Sequence, residues 1–524
     1  MLIPGPFHAD ARTGFLVAGL LLALVSFTCY QRGRYTLAVW MLFLATFAFF
    51  LFTAMLDPFL NLWDERFHAL VARNLLSHPW RPTLYENPVI TMPYDRWDRS
   101  LVWLHKQPFF LWQIVASYKI FGFSEFAVRF PSALLSALLV PVTYRSGKIL
   151  VNRDTGYFAA LFVPTSFYLV ELISGHRGVD HNDVVFLFYV SASTWAWLEY
   201  TRSGKLPWLM LTGLFSGFAV LTKWLAGLVV YAGWFIYIVA SKRARQDRKS
   251  WFHLATAFAI TCLVVVPWQV WILVKYPAEA MAEYRFSFDH LSKGLEGSGE
   301  PWWFYLANLP YLYGIVSIVL IPAGLVLLFR NNGASARLKA AVMAMPVMVY
   351  IFYSLATSKM ASFTFVVSMP LFIAMGCVLD FILGQRTRAK LSPVLFKTAT
   401  FLLLAVVLAF NLRVGELIRK HTINNPDDPC PKILVENRKA FLRYKVLLPR
   451  NSVVFNLKGR SYIDCMFYTG FPSYNFIPTP GQYHEAVAGG YRVVVVNISR
   501  QECPGYLEND PSVIVLEEQT ACCD

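Results

Sequence analysis

Twelve apolar stretches recur along this chain of 524 residues, separated mostly by short polar loops. Few folds can absorb that pattern. The stretches run Gly14–Cys29, Thr36–Leu56, Ala127–Leu150, Gly156–Ile173, Val184–Leu198, Leu206–Thr222, Leu225–Ala240, Phe252–Val274, Phe304–Phe329, Ala340–Ala356, Phe363–Leu383 and Thr398–Leu412. Crossing a bilayer as a helix takes roughly 17–25 apolar residues. The composition agrees. Apolar residues make up 56% and charged residues 15%, against about 25% charged in a soluble domain, and the mean hydropathy is +0.46. These values exclude a disordered chain, a disulfide scaffold and an ordinary soluble enzyme, and they predict an α-helical polytopic membrane protein of about 12 spans. The opening MLIPGPFHADARTG lacks a basic n-region and a small-residue cleavage site, so the first span is expected to be retained.

The net charge of +15 raises the question of nucleic acid, but its distribution answers it. From Arg413 to Asp524 there are 13 Lys/Arg against 12 Asp/Glu, so the excess lies among the apolar stretches. One alternating set of loops, from Arg32/Arg34 to Arg386/Arg388/Lys390/Lys397, holds 19 basic residues and three acids; the other set holds 13 and 14. Basic loops stay cytoplasmic. The second set, with the tail, is therefore expected on the outer side, and it includes the two long connections Asp57–Phe126 and Lys275–Trp303. Long loops in compact proteins usually carry function.

After Leu412 the pattern changes. Runs at Ser452–Asn456, Tyr474–Ile477, Arg492–Asn497 and Ser512–Leu516 read as strands. Helical stretches at Ile463–Tyr468 and Tyr483–Ala488 alternate with them, which predicts parallel pairing in a small α/β domain. The chain thus divides into residues 1–412, the membrane domain with its outer loop 57–126, and residues 413–524. Five of the eight cysteines lie in this tail, where an oxidising compartment would permit a disulfide. Neither a GxGxxG fingerprint nor a P-loop is present.

The polar residues of the outer set carry the chemistry. From Asp64, the positions Phe67, Leu70, Val71, Asn74 and Leu75 recur at helical spacing, which predicts an amphipathic helix lying in the membrane interface. Asp64 at its start is either an N-cap or a carboxylate placed to take a proton from a substrate. Lys106, in HKQPFF, is either a snorkelling side chain or a cation for a lipid-borne phosphate. The turn GHRGVDHND brings His176, Arg177, Asp180, His181 and Asp183 together, as a solvated turn or as ligands for a divalent ion. Lys223, the Asp289/His290/Lys293 group with Glu296 and Glu300, and Lys359 complete the set. Each is a solvated or snorkelling charge when taken singly, but all fall on one predicted side.

The order of these motifs resembles that of the polyprenyl-phosphate-sugar-dependent membrane glycosyltransferases, which include the aminoarabinose transferase of lipid A and the protein O-mannosyltransferases. The match comprises an Asp-Glu pair opening a helix, Lys-x-Pro, FG-x-SEFA-x-R-x-PSA (Phe121 to Ala133), an outer-turn Asp, an LTK and a late Ser-Lys-Met. The resemblance implies a C-type glycosyltransferase architecture and inverting transfer from a polyprenyl-phosphate sugar to a hydroxyl of a lipid, glycan or protein. By position, Asp64 would be the general base and Asp180 the second carboxylate. Lys106, with Arg66 and Lys359, would meet the donor phosphate. Glu65, His105, Asp183 and Lys223 are further candidates. A divalent Zn, Mg or Mn ion would fall to His290, His105 and Asp180. No nucleotide cofactor or nucleic acid is implied, and the setting would be a bacterial inner membrane with the site on its periplasmic side. Relatives of the aminoarabinose type carry Glu-Lys-Pro-Pro where this chain has His105-Lys106-Gln107-Pro108, and a late Tyr where Phe363 stands. The rival class is a transporter or flippase of lipid-linked sugar. It would show internal repeats and polar groups at mid-span, whereas here the polar groups gather at one predicted face.

Overall fold

The computed structural model describes residues 9–176, 180–294, 299–384, 393–517 and 523. It is a helical bundle topped at one end by the first long loop, the helix Pro277–Ser292 and the tail. We call this end the crown. Multi-pass character is evident in the surface as well as in length. Leu20, Leu21 and Leu24 on the first helix, and Leu263, Val266, Val270 and Val274 on the helix Arg248–Lys275, are exposed. Water would not tolerate so much apolar surface, whereas lipid does.

The predicted apolar stretches form helices of unequal length. Among the described residues six helices are long and apolar enough to cross, or seven if the bent pair Arg153–Thr165 and Phe167–Ile173 counts as one. The physical reason is breakage. The stretch Gly156–Ile173 bends by 49° at Ser166, whose hydroxyl caps the second piece by accepting from the Leu169 N–H. Apolar runs such as Phe304–Phe329 divide into two short helices and the 14-residue helix Ser317–Arg330. The helix Asp180–Ser203 is long enough but carries Asp180, Asp183, Glu199 and Arg202.

Charges of the loops near residues 145–154 and 199–202 lie at the end away from the crown. Arg145 pairs with Glu199, which also accepts from Arg202 at 3.1 Å. Nearby, Asp154 accepts from the hydroxyls of Tyr30 and Tyr35 at 2.8 and 2.9 Å.

In the tail, β1 (Ser452–Phe455), β2 (Arg492–Val496) and β3 (Ile514–Leu516) form a parallel sheet in that order. The helices Ser461–Thr469 and Pro480–Ala488 lie between β1 and β2 in sequence, as expected. The fourth predicted strand, 474–477, is not one. It runs beside β1 through single contacts, Tyr474 N–H to Val454 O at 2.8 Å and Asn456 N–H to Phe476 O at 2.9 Å. Pro472 and Pro478 bracket it, and a residue without an N–H cannot extend a ladder. Cys29, Cys262, Cys377, Cys465 and Cys503 are free thiols. Cys430 and Cys523 lie close, each Sγ within 4.0 Å of the other's carbonyl oxygen.

The motif SEFA-x-R explains how crown and bundle lock. Ser124 caps the helix Glu125–Leu150 by accepting from the Ala127 N–H at 3.2 Å. Glu125 accepts from Arg438 Nε at 2.7 Å and from the Tyr468 hydroxyl at 2.8 Å, both in the tail. Arg129, one turn on, reaches Glu65 with two parallel bonds of 2.7 and 2.9 Å. Three residues of one turn thus cap, anchor the tail and pin the loop.

Candidate active site

The helix Asp64–Asn74 forms where predicted, but it does not lie on a surface. Every residue from Asp64 to Ala72 is buried. The predicted polar face is covered by the tail: Arg73 donates to the Met466 and Phe467 carbonyls at 2.8 and 2.5 Å, at the C-terminal end of the helix Ser461–Thr469, where a cation is favoured. The helix is therefore buried between bundle and tail. The reading of Asp64 as an N-cap also fails. The cap position is Trp63, which makes no side-chain cap bond and holds φ at 61°. A bulky residue in that region is strained, and such strain clusters at functional sites. The turn aims Asp64 away from the helix end and into contact with Lys106, Oδ2 to Nζ 3.0 Å.

Successive residues on a helix point about 100° apart, so Asp64, Glu65 and Arg66 cannot serve one site. Glu65 is taken by Arg129, and His181 Nε2 lies 3.6 Å from it. Gly175 (φ +78°) packs so closely that a Cβ there would sit 2.4 Å from the Glu65 carboxylate. Arg66, expected at the donor phosphate, turns to the tail, where its Nε lies 3.5 Å from Asp464. Both are corrections with the same cause: the turn of the helix distributes the three charges to different neighbours.

Lys106 is the hub. Besides Asp64, its charge acts on Glu283, His290 and Asp183. His105 beside it bonds through Nδ1 to Glu283 Oε2 at 3.2 Å, and Trp97 stacks on its ring at 4.5 Å. His105 and His290 both pack against Phe286, with ring centroids 5.5 and 4.8 Å away. Burial and then the Lys106 charge hold His105 well below the usual imidazole range, and the same two causes lower His290. Burial pushes Glu283 up to about 7, with Lys106 opposing. At neutral pH the two rings are thus uncharged and keep a lone pair. Glu283 is absent from the sequence-based candidates. Its signal was readable: Glu283, Phe286 and His290 recur at i, i+3 and i+7 on the helix Pro277–Ser292, one face of a helix.

A second ion pair completes the group. Lys223 pairs with Asp183 and lies 4.8 Å from the centre of the Phe363 ring. Trp224, which follows Lys223, also has positive φ, 65°. Phe363, where the resemblance implies a Tyr, presents its ring face to a lysine. Such contacts contribute about 0.5–2 kcal/mol. Phe363→Leu should lower stability by that amount while Phe363→Tyr keeps it, as read by thermal unfolding in detergent. A melting point unmoved by the leucine would refute the contact.

Lys359 is buried, with its ammonium on the Ala356 carbonyl at 2.5 Å. Its segment touches the His290 region through Thr357 N–H to Leu291 O and Ser358 N–H to His290 O. The side chains of Arg177 and Asp180, and residue Glu296, lie outside the described residues. Of the two readings of the turn GHRGVDHND, a shared ion is not what its described side chains form. His181 faces Glu65, Asp183 faces Lys223, and His176 packs on His421 at 5.3 Å. Alternate directions along the turn send its groups to three neighbours. Beside His105 lies a cleft of about 280 Å³ lined by Asp95, Arg96, Trp97, Asp98, Glu283, Phe286 and the tail's Arg460.

The chain is similar to known proteins in sequence and in fold. A family profile described as dolichyl-phosphate-mannose-protein mannosyltransferase matches residues 105–271. An undecaprenyl phosphate-alpha-4-amino-4-deoxy-L-arabinose arabinosyl transferase of Pseudomonas fluorescens is 27% identical over 291 residues, 53% of this chain and 50% of that protein. The Pseudomonas aeruginosa protein of that name is 26% identical over 51% of this chain and 48% of its own length. The chain spans about half the length of these relatives. Among solved structures, ArnT from Cupriavidus metallidurans bound to undecaprenyl phosphate superposes with a TM-score of 0.61 at 17% identity, covering 85% of this chain and 87% of that one. The Archaeoglobus fulgidus oligosaccharyltransferase AglB, with an inhibitory peptide and a dolichol-phosphate, gives 0.56 at 14% identity over 84% of this chain and 64% of that one. The resemblance to the polyprenyl-phosphate-sugar-dependent membrane glycosyltransferases read from the motifs is therefore borne out, in sequence over a central segment and in fold over most of the chain.

Proposed function

We propose that this protein is an inverting glycosyltransferase, moving a sugar from a polyprenyl-phosphate donor to a hydroxyl of a lipid, glycan or protein acceptor. The crown, and the tail domain 413–524 with it, would face the periplasm of a bacterial inner membrane. The observation that carries this reading is the contact of Asp64 with Lys106, 3.0 Å apart from positions 42 residues distant in the chain.

The chemistry asks for those two types. The acceptor hydroxyl attacks the anomeric carbon from the face opposite the lipid phosphate. The C–O bond to the phosphate breaks, and the hydroxyl proton goes to Asp64 as general base. The leaving phosphate carries its own negative charge and needs a cation rather than an acid. As Asp64 takes the proton it loses a charge while the phosphate gains one, so Lys106 keeps an anionic partner throughout. Lys223 and Lys359 are further cations near this path. No nucleotide is needed, because the sugar arrives activated. For the divalent ion that the resemblance implies, the groups around Lys106 are not assembled: His105 Nδ1 and Glu283 Oε2 meet at 3.2 Å, but together with His290 their ligand atoms do not come within 4.8 Å of one another, and no step is assigned to an ion there. The cleft beside His105, with both acids and arginines and one wall from the tail, suits a polar acceptor.

The test is transfer from a defined undecaprenyl-phosphate sugar by purified protein. Lys106→Ala should lower kcat/KM for the donor about 10- to 150-fold, the worth of one charge-assisted bond, mostly through KM. An unchanged donor dependence would remove the phosphate contact. The transporter alternative has lost ground to the fold likeness. Uptake into proteoliposomes with no glycosyl transfer would restore it.

A further inference from the structure

The first outer loop, the 166–176 segment and the root of the tail meet at a cluster the reaction does not use. Asp57, His176 and His421 each offer one ligand atom, and these atoms lie within 4.8 Å of one another. Asp57 and His421 are buried to 4% exposure of their side chains. His421 Nδ1 sits 2.8 Å from Asp57 Oδ1, while its Nε2 is buried with no hydrogen-bond partner among the described residues. The rings of His176 and His421 are inclined at 62°, so they do not stack.

We propose that Asp57, His176 and His421 form a binding site for a divalent metal of the zinc class, distinct from His105, Glu283 and His290. Two imidazoles and one carboxylate are a donor set that zinc accepts, with a fourth position left to water. An ion about 2.0–2.2 Å from each ligand sets the ligand atoms roughly 3.3 Å apart, within reach of small side-chain rotations here. The surroundings are prepared for it. Asn61 Nδ2 donates to Asp57 Oδ2 at 3.0 Å and to the Ser174 carbonyl at 3.2 Å, which orients the carboxylate and ties in the turn before His176; such outer partners fix ligand direction. The neighbouring cations are already neutralised: Arg129 by Glu65, and Lys420 by Glu171 and Glu416. His421 caps the C-terminus of the helix Val414–Lys420, the first element of the tail. Asp57 opens the loop that leads to Asp64, and Arg129 holds its carbonyl at 2.6 Å. The metal would therefore clasp the root of the tail to the base of the loop that presents Asp64. Its three ligands are positioning residues.

The experiment uses the full chain purified in detergent, stripped with chelator and titrated with Co(II) alone, then with Zn(II) as competitor. The His105→Ala protein should bind one Co(II) with the intense visible absorption of a tetrahedral N/O site, displaced by Zn(II), and should melt higher when loaded. Adding His421→Ala or His176→Gln should weaken that binding at least about 10-fold and abolish the zinc-dependent rise in melting temperature. His176→Gln keeps a polar side chain at a half-buried position and guards against a folding defect, checked by a monodisperse elution profile. A stripped His105→Ala protein that binds no Co(II) or Zn(II) at micromolar concentration would overturn the proposal. So would binding and spectra that survive both substitutions.

Discussion

Asp64→Asn should lower the turnover of sugar transfer about 10²–10⁴-fold, the usual contribution of a positioned general base, with the protein still folded. The amide keeps the size of the side chain and one oxygen toward Lys106, but it cannot take a proton. The effect should fall on kcat rather than on donor KM, because the donor's phosphate meets Lys106 and not the carboxylate. That split separates Asp64→Asn from Lys106→Ala, whose loss falls on donor binding. The measurement is steady-state transfer with purified protein, beside a melting curve for each variant. Turnover within about three-fold of the parent would sink the assignment of Asp64 as base.

The second large effect concerns stability. Arg129→Leu should destabilise the protein by about 3–5 kcal/mol, the cost of leaving one member of a buried ion pair without the other. Arg129 is fully buried and makes two bonds to Glu65, together with bonds to the carbonyls of Ala54, Asp57 and Phe59 at 3.3, 2.6 and 2.7 Å. Its removal strands a carboxylate and three carbonyls in the same small volume. Arg129→Lys should recover part of the loss, since an ammonium supplies the charge but not the planar fork. Glu65→Gln should cost less than Arg129→Leu, because the amide oxygen still accepts one guanidinium bond. The check is thermal unfolding of the three variants in one detergent. An Arg129→Leu protein with the parent's melting temperature would refute the arrangement. Both glutamate and arginine belong to motifs that also mark the resemblance, and here their work is to hold the loop that carries Asp64.

The contrast between Asp64 and its two neighbours shows where reading residues in order stops. Apolar spacing predicted a helix at Asp64, and the helix is there, because periodicity is a property of the local backbone. The same spacing placed it on a membrane surface. It could not report that the Ser461–Thr469 helix, some 390 residues on, would cover its polar face through Arg73. Glu283 is a milder case. Its face with Phe286 and His290 could be read from the helix, but its partner His105, 178 positions away, could not.

By itself the sequence determined that the chain crosses a membrane repeatedly, that its polar groups keep to particular loops, and that the tail would be a parallel α/β unit. All three depend on burial and hydrogen bonding within short windows, where the residues carry their own instructions. Tertiary structure alone decided which charge meets which: Asp64 with Lys106, Arg66 with Asp464, Asp183 with Lys223, and His421 with Asp57, 364 residues apart. A buried charge must find a partner or leave the interior. Which partner it finds is settled by the packing that brings distant segments within about 3 Å, and one chain read in order holds no record of that distance.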